Sequence, residues 1–255
     1  MPAGTAVDLP LPCRLQDDRQ HQSAEVIRLP MRPAFCGLVL AAFTANAAPA
    51  AQDYVESDGW LSDDDFYRLV ACAAPPGARC VKPMLHWSDE RPVRVRIASM
   101  DRAFLGGKTK RAEAALVRAV QYINAAGAGI RVEQVGPASE ADISIHFLDT
   151  DGSKPLARTG IDGADGTTVT GARVIVWSRS DTKTILRATI LFGTRLHIQH
   201  YESAMLEEVT QALGLLTDIR NPVYEGVSIF SQDSNDTKQF SPQDVMALRR
   251  HYPPE

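Results

Sequence analysis

The residues of this chain best able to act together chemically stand in one short stretch, Glu207-Glu208-Val209-Thr210-Gln211-Ala212-Leu213-Gly214-Leu215-Leu216-Thr217-Asp218. A carboxylate is a general base where it reaches a proton, and an oxygen ligand where it reaches a hard cation. Glu208 is the candidate for the first role. Glu207 and Gln211 share a face if the segment is helical, so both could line a cleft or hold one ion. Thr217 and Asp218, just past Gly214, are candidates for the same wall. His197 and His200 lie upstream, and with Ala204, Glu207 and Gln211 they follow a helical stripe. They read either as metal ligands alongside Glu207 or as surface histidines on a first turn. Neighbouring helical residues do not face each other, so Glu207 and Glu208 are not expected to couple as a dyad.

These side chains need a helix behind them. Leu206, Val209, Leu213 and Leu216 recur at helical spacing and predict a buried helix from near His197 to Leu213, with Gly214 as a left-handed exit. Other elements follow from the same patterns. Ser62-Asp63-Asp64-Asp65 is an N-cap followed by an acidic first turn, and predicts a short helix. Val93, Val95 and Ile97 alternate with Arg94 and Arg96 as a half-buried strand. A helix is predicted from Thr109 to about Ala126, and strands at Ile130–Val132, 141–147, 174–177 and 185–192. The last two are expected to form a hairpin. Ser241-Pro242-Gln243-Asp244 opens a final helix with Val245, Leu248 and Tyr252 on its apolar stripe.

Three motifs fall short. Gly107-Lys108-Thr109 resembles the end of a phosphate loop, but Arg102 stands where that loop's first glycine belongs. The loop 149–168 has three Asp-Gly pairs without calcium-loop spacing, and reads as turns. His146 falls on a strand's polar face beside Ser144, where a histidine is ordinarily solvated or hydrogen-bonded.

Length, charge and cysteines bound the rest. The 255 residues carry a net charge of −4, with no basic footprint for nucleic acid. The apolar run 35–43, preceded by Arg32 and followed by Ala45-Asn46-Ala47, has the form of a secretory signal. The division expected is an upstream extension from a wrongly placed start at 1–30, a signal peptide at 31–47, a tether and N-terminal arm at 48–90, and the main domain at 91–255. A signal anchor with a cytoplasmic tail is the alternative. Export places the protein in the periplasm or outside the cell, with membrane contact only through the uncleaved signal. In such a compartment Cys72 and Cys80 are expected to pair.

The order strand, helix, strands, long loop, strands, helix, loop, helix resembles the catalytic domain of the metzincin zinc peptidases, the matrixin-like ones in particular. Ala141-Asp142-Ile143-Ser144-Ile145 is similar to their third strand. Glu207-Glu208-Val209-Thr210-Gln211-Ala212-Leu213-Gly214-Leu215 stands where their zinc helix reads HExxHxLGL. Ser228-Ile229-Phe230 stands where they have a Met-turn, and Phe240-Ser241-Pro242-Gln243-Asp244 opens a helix like their last. Over about residues 55–253, through its LSDDDFYRLVAC and EExxQALGL segments, the chain is identified as a member of domain-of-unknown-function family 2927, exported proteobacterial proteins. The resemblance implies an α+β, metzincin-like fold: a mixed twisted sheet of about five strands packed against two long helices, plus a C-terminal helix.

The departures from that pattern shape the functional expectation. Metzincin chemistry needs neutral imidazoles on zinc and a glutamate to deprotonate the bound water. Here only Glu208 is kept. Glu207 and Gln211 replace two imidazoles, Thr217 falls at the third ligand position, and Phe230 takes the Met-turn position. The expectation is a noncatalytic scaffold whose cleft binds a peptide, a glycan or an envelope protein, with no cofactor. The alternative is a divergent hydrolase that uses Glu208 as base with an atypical divalent-metal site of oxygen ligands.

Overall fold

The computed structural model describes residues 54–88 and 90–254. The expected signal segment, the upstream extension, Cys13 and Cys36 lie outside the described residues. The elements are β1 (Tyr54–Glu56), α1 (Asp63–Cys72), β2 (Val93–Met100), α2 (Gly107–Ala125), β3 (Val132–Gln134), β4 (Ile143–Phe147), β5 (Ala172–Ser178), β6 (Ile185–Phe192), α3 (Tyr201–Gln211), β7 (Asp218–Arg220) and α4 (Pro242–His251). The protein is therefore α+β, with a five-stranded mixed sheet in the order β3-β2-β4-β6-β5. All neighbouring pairs are parallel except β5 with β6. No helix among the described residues is long and apolar enough to cross a membrane.

Alternation decides which face of the sheet is covered by what. Ile143, Ile145 and Phe147 on β4, with Ala188, Ile190 and Phe192 on β6, enter the main core beside α2 and α3. Leu148 and Leu191 turn the other way and form a small second core with Ala164 and Val169 under the loop after β4. Hydrogen-bonded turns tie that loop. The Asp165 carboxylate accepts the Arg158 and Thr159 amides, each at 2.9 Å, and Asp151 accepts the Ser153 amide. Gly163 is required where it stands, because a Cβ there would lie 2.6 Å from the Trp177 ring.

The N-terminal arm is built into the same core. Ser62 caps α1 by accepting the Asp65 amide, as expected, and Cys72 bonds to Cys80. Closing this short loop contributes about 2–3 kcal/mol by restricting the unfolded chain. Phe66, Leu69 and Val70 are fully buried, and Phe66 packs on Tyr224 and Phe230. Burying each such side chain contributes roughly 1.5–3 kcal/mol. Part of the expected tether is ordered: residues 54–56 pair in parallel with β7 as a separate two-stranded sheet.

Of the two long helices expected, α2 has 19 residues and α3 only 11. The predicted start near His197 is instead a 3-10 turn, Ile198–His200, and the far end unwinds after Gln211. The loosened carbonyls at that end are satisfied from outside the helix. The Trp87 indole N–H donates to Ala212 O at 2.9 Å, and the Tyr252 hydroxyl donates to Leu213 O. His251 completes this corner. Its Nε2–H donates to Leu85 O at 2.7 Å, and burial pushes the imidazole down to about 4, against the Leu85 carbonyl and with the help of His86.

Candidate functional site

A polar cavity of about 320 Å³ lies at the open edge of the sheet. Glu208 and Gln211 reach it from α3, Asp218 from β7, Ala172, Arg173 and Val174 from β5, and Gln232 from the loop before α4. Thr168 and Thr170 close it from the end of the Asp-Gly loop. Three of the residues singled out from the sequence, Glu208, Gln211 and Asp218, line this cavity. They are one helical turn apart on α3, or carried back past its end by the turn at Gly214. The Gln211 Nε2 donates to Asp218 Oδ1 at 2.6 Å. Gln211, at the second ligand position of the metzincin pattern, is thus held by Asp218, the residue after the third.

Other candidates are placed differently. Thr217 is buried, with its amide donating to Val70 O at 3.2 Å. Side chains alternate along 216–218, so Leu216 and Asp218 face the cavity and Thr217 faces the core, away from the wall expected for it. His197 and His200 do not reach the cavity. They stand at the start of α3, seven or more residues before Glu207, which is about 10 Å or more of helix. His200 Nδ1–H donates to Asn235 O at 3.0 Å, and His197 accepts the Gln199 amide. A shared site of either histidine with Glu207 is therefore not formed. Among the described residues, no three His, Cys, Asp or Glu side chains are grouped as ligands for an ion.

Glu207 does not line the cavity either, yet it feels it. Burial, with the nearby carboxylates of Asp218 and then Glu208, pushes its carboxyl well above the ordinary glutamate range. Glu207 and Glu208 were not expected to face each other as a dyad, and the charge of Glu208 acts on Glu207 less than burial and Asp218 do. Helical geometry separates their side chains, but a weakly screened charge acts beyond contact, and Asp218 adds to it. A protonated Glu207 is what the fold prefers. The stability from that proton is fully present below the ordinary value of 4.5, and is lost as pH rises through the folded value. Glu207 is half-buried by accessible surface, so solvent screens part of the penalty. Glu207→Gln should therefore match the parent near pH 4 and exceed it by roughly 1–2 kcal/mol at pH 8, read by urea unfolding at both pH values. A variant less stable than the parent at pH 8 would show that the ionised form is the stabilising one.

The cavity continues along a free strand edge. Gly193 N–H donates to Gly171 O at 2.8 Å, in step with the 172↔192 register of β5 and β6. Antiparallel pairing alternates, so the bonds to β6 fall on 171, 173, 175 and 177. The amides and carbonyls of Ala172, Val174 and Val176 point outward, and no strand among the described residues pairs with that side. Arg173, Gln232, Thr168 and Thr170 were not legible as site residues, because nothing in their local sequence sets them apart. In the phosphate-loop fragment Lys108 Nζ donates to Ala103 O at 2.8 Å, and the Thr109 hydroxyl donates to Phe104 O at 3.0 Å.

At the turn beneath the site, Phe230 is fully buried and donates its amide to Ser228 Oγ at 3.1 Å. Asp244 holds this turn to α4. Its carboxyl accepts the Ser228 hydroxyl at 2.6 Å, the Ser241 amide at 2.7 Å and the Ile229 amide at 3.3 Å. Burial pushes the Asp244 carboxyl up despite these bonds.

Fold and site together define an α+β domain with a polar cavity at the antiparallel edge of a mixed sheet. The chain belongs to the family described as protein of unknown function (DUF2927), which it matches over residues 67–255. No curated protein matches it.

Proposed function

We propose that this domain is a noncatalytic peptide-binding scaffold on a metzincin-type frame. An extended peptide adds to the outer edge of β5 and places one side chain in the cavity. The observation that carries this reading is the coincidence of the outward amides and carbonyls of Ala172 and Val174 with the walls of that cavity. Main-chain bonds along an open edge supply affinity, and the pocket beside it supplies selection. The Glu208 and Asp218 carboxylates together with the Arg173 and Gln211 donors give the pocket both acceptors and donors, which suits a polar side chain such as an amide. The direct bond between Gln211 and Asp218 supports a binding wall over an ion site. The antiparallel edge strand, the helix behind the cavity and the buried turn at 228–230 support the metzincin-type frame.

We place the protein in an oxidising compartment, periplasmic or outside the cell. The Cys72–Cys80 bond supports this, since such bonds persist there and are rare in reducing cytoplasm.

The test is a screen of extended peptides against the protein, followed by amide NMR of any binder. The expected result is a set of shifted amides centred on Ala172, Val174 and Val176, with binding weakened about tenfold or more by Val174→Pro, which removes one edge donor. Shifts confined to other surfaces would overturn the assignment. The same library read for cleavage separates the divergent-hydrolase alternative. The scaffold reading expects no turnover by the parent, whereas turnover that disappears in Glu208→Gln would establish the hydrolase.

A further inference from the structure

The stretch before α4 carries a pattern that neither the cavity nor the β5 edge uses. In Asp233-Ser234-Asn235-Asp236-Thr237 an asparagine is followed two residues later by a hydroxyl side chain, with no proline between. The chain's other asparagines lack this. Asn46 and Asn124 are each followed by two alanines, and Asn221 by Pro222 and Val223. Asn-x-Ser/Thr is the acceptor pattern for N-linked sugars on the surface of exported proteins.

The fold presents this asparagine to solvent. Residues 234–238 belong to no helix, strand or turn. Asn235 is exposed, and its side-chain amide makes no hydrogen bond among the described residues. Its backbone is pinned instead. Asn235 O accepts from His200 Nδ1–H at 3.0 Å and from the Ser203 hydroxyl, both at the start of α3. The neighbours are open to recognition as well. Thr237 Oγ1 is covered but has no hydrogen-bond partner among the described residues, so turning it out toward a transferase breaks no hydrogen bond. Asp233 accepts from Arg220 Nε at 3.1 Å in a part-exposed ion pair, which holds it weakly. Two residues before the asparagine, that carboxylate offers a charged handle to a cationic group of the transferase.

We propose that Asn235 is the acceptor of one N-linked oligosaccharide, transferred from a lipid-diphosphate donor. Asn235 Nδ2 bonds to the anomeric carbon of the first sugar. The bond from that carbon to the diphosphate oxygen breaks, and the lipid diphosphate leaves with the proton lost from Nδ2. Such transfer acts on exported chains, so the site goes with the oxidising compartment proposed above.

The full, disulfide-bonded chain incubated with a bacterial oligosaccharyltransferase and a lipid-diphosphate oligosaccharide tests this, read by intact mass and glycopeptide mapping. A synthetic peptide spanning residues 231–239 runs beside it. The expected result is a gain of one oligosaccharide mass on the folded chain, at Asn235. The gain is lost in Asn235→Gln and in Thr237→Ala, and kept in Thr237→Ser. A melting profile matching the parent's checks that each variant folds. A folded parent left unmodified while the peptide is glycosylated would show that the fold closes the site, and would overturn the proposal. So would an adduct on another asparagine, a gain that survives in Thr237→Ala, or a peptide left unmodified while a control acceptor in the same mixture is glycosylated. Each outcome is independent of peptide binding at β5.

Discussion

Gly214→Ala should unfold or nearly unfold the protein, with a loss on the order of 4–5 kcal/mol. Two costs combine. Gly214 has φ of +110°, outside the range a side chain readily accepts, which alone costs about 1–2 kcal/mol. A Cβ there would also stand 1.9 Å from Leu85 O and 2.7 Å from His251 Nε2. The Leu85 carbonyl is backbone, and it is the acceptor for that same His251 N–H. Making room means moving the arm off the end of α3, which breaks the His251 bond and loosens the Trp87 and Tyr252 bonds to Ala212 and Leu213. Backbone displacement of this kind costs a further few kcal/mol. Gly226→Ala is the control. Its φ is +67° with nothing within 4 Å of a Cβ, so it should cost only the conformational part, about 1 kcal/mol. Urea melts of the two variants against the parent decide the matter, and equal losses would show that the close approach to Leu85 is unimportant.

Asp244→Ala should cost roughly 3–5 kcal/mol and leave Asp244→Asn much closer to the parent. The alanine variant removes the acceptor from the Ser228 hydroxyl and from the Ile229 and Ser241 amides, and opens a void at a site that is 1% exposed. Each buried donor stranded this way costs about 1–3 kcal/mol. Asparagine can turn its oxygen to the two amides and its amide nitrogen to Ser228 Oγ, which then accepts. No buried charge is lost in the exchange for which the fold compensates, since burial already disfavours the ionised carboxyl. Thermal unfolding of both variants checks the ranking. An asparagine variant as unstable as the alanine variant would mean that the negative charge, rather than the acceptor geometry, holds the turn.

At these two sites the secondary-structure element was legible and the distant contact was not. Gly214 was legible as a helix exit, but the reason it must be glycine is Leu85, far away in the chain. Asp244 was legible as the third residue of a capped helix. Its reach to Ser228 and Ile229 was not, because a capping box looks the same whether or not a distant turn leans on it. Gln211 was legible by its helical spacing from Glu207, which itself stays out of the cavity, Glu208 as the carboxylate beside it, and Asp218 by its place beyond the glycine. Arg173, Gln232 and the two threonines came to the same cavity only through the pairing of β5 and the path of two loops.

Local rules were enough for the five strands of the main sheet, the caps of α1 and α4 and the disulfide, because alternation, capping and short loop closure act over a few residues, but not for β1 and β7, which pair across the chain. By those rules the sequence determined the order of main-sheet strands and helices and a carboxylate-bearing helix followed by a glycine exit. Only the tertiary structure decided that Thr217 turns inward, that Gln211 holds Asp218, and that a single extra residue in β2 brings Ser99 onto His146. Those outcomes depend on strand register and on backbones meeting from distant parts of the chain, and one shifted residue reverses the face on which every later side chain stands.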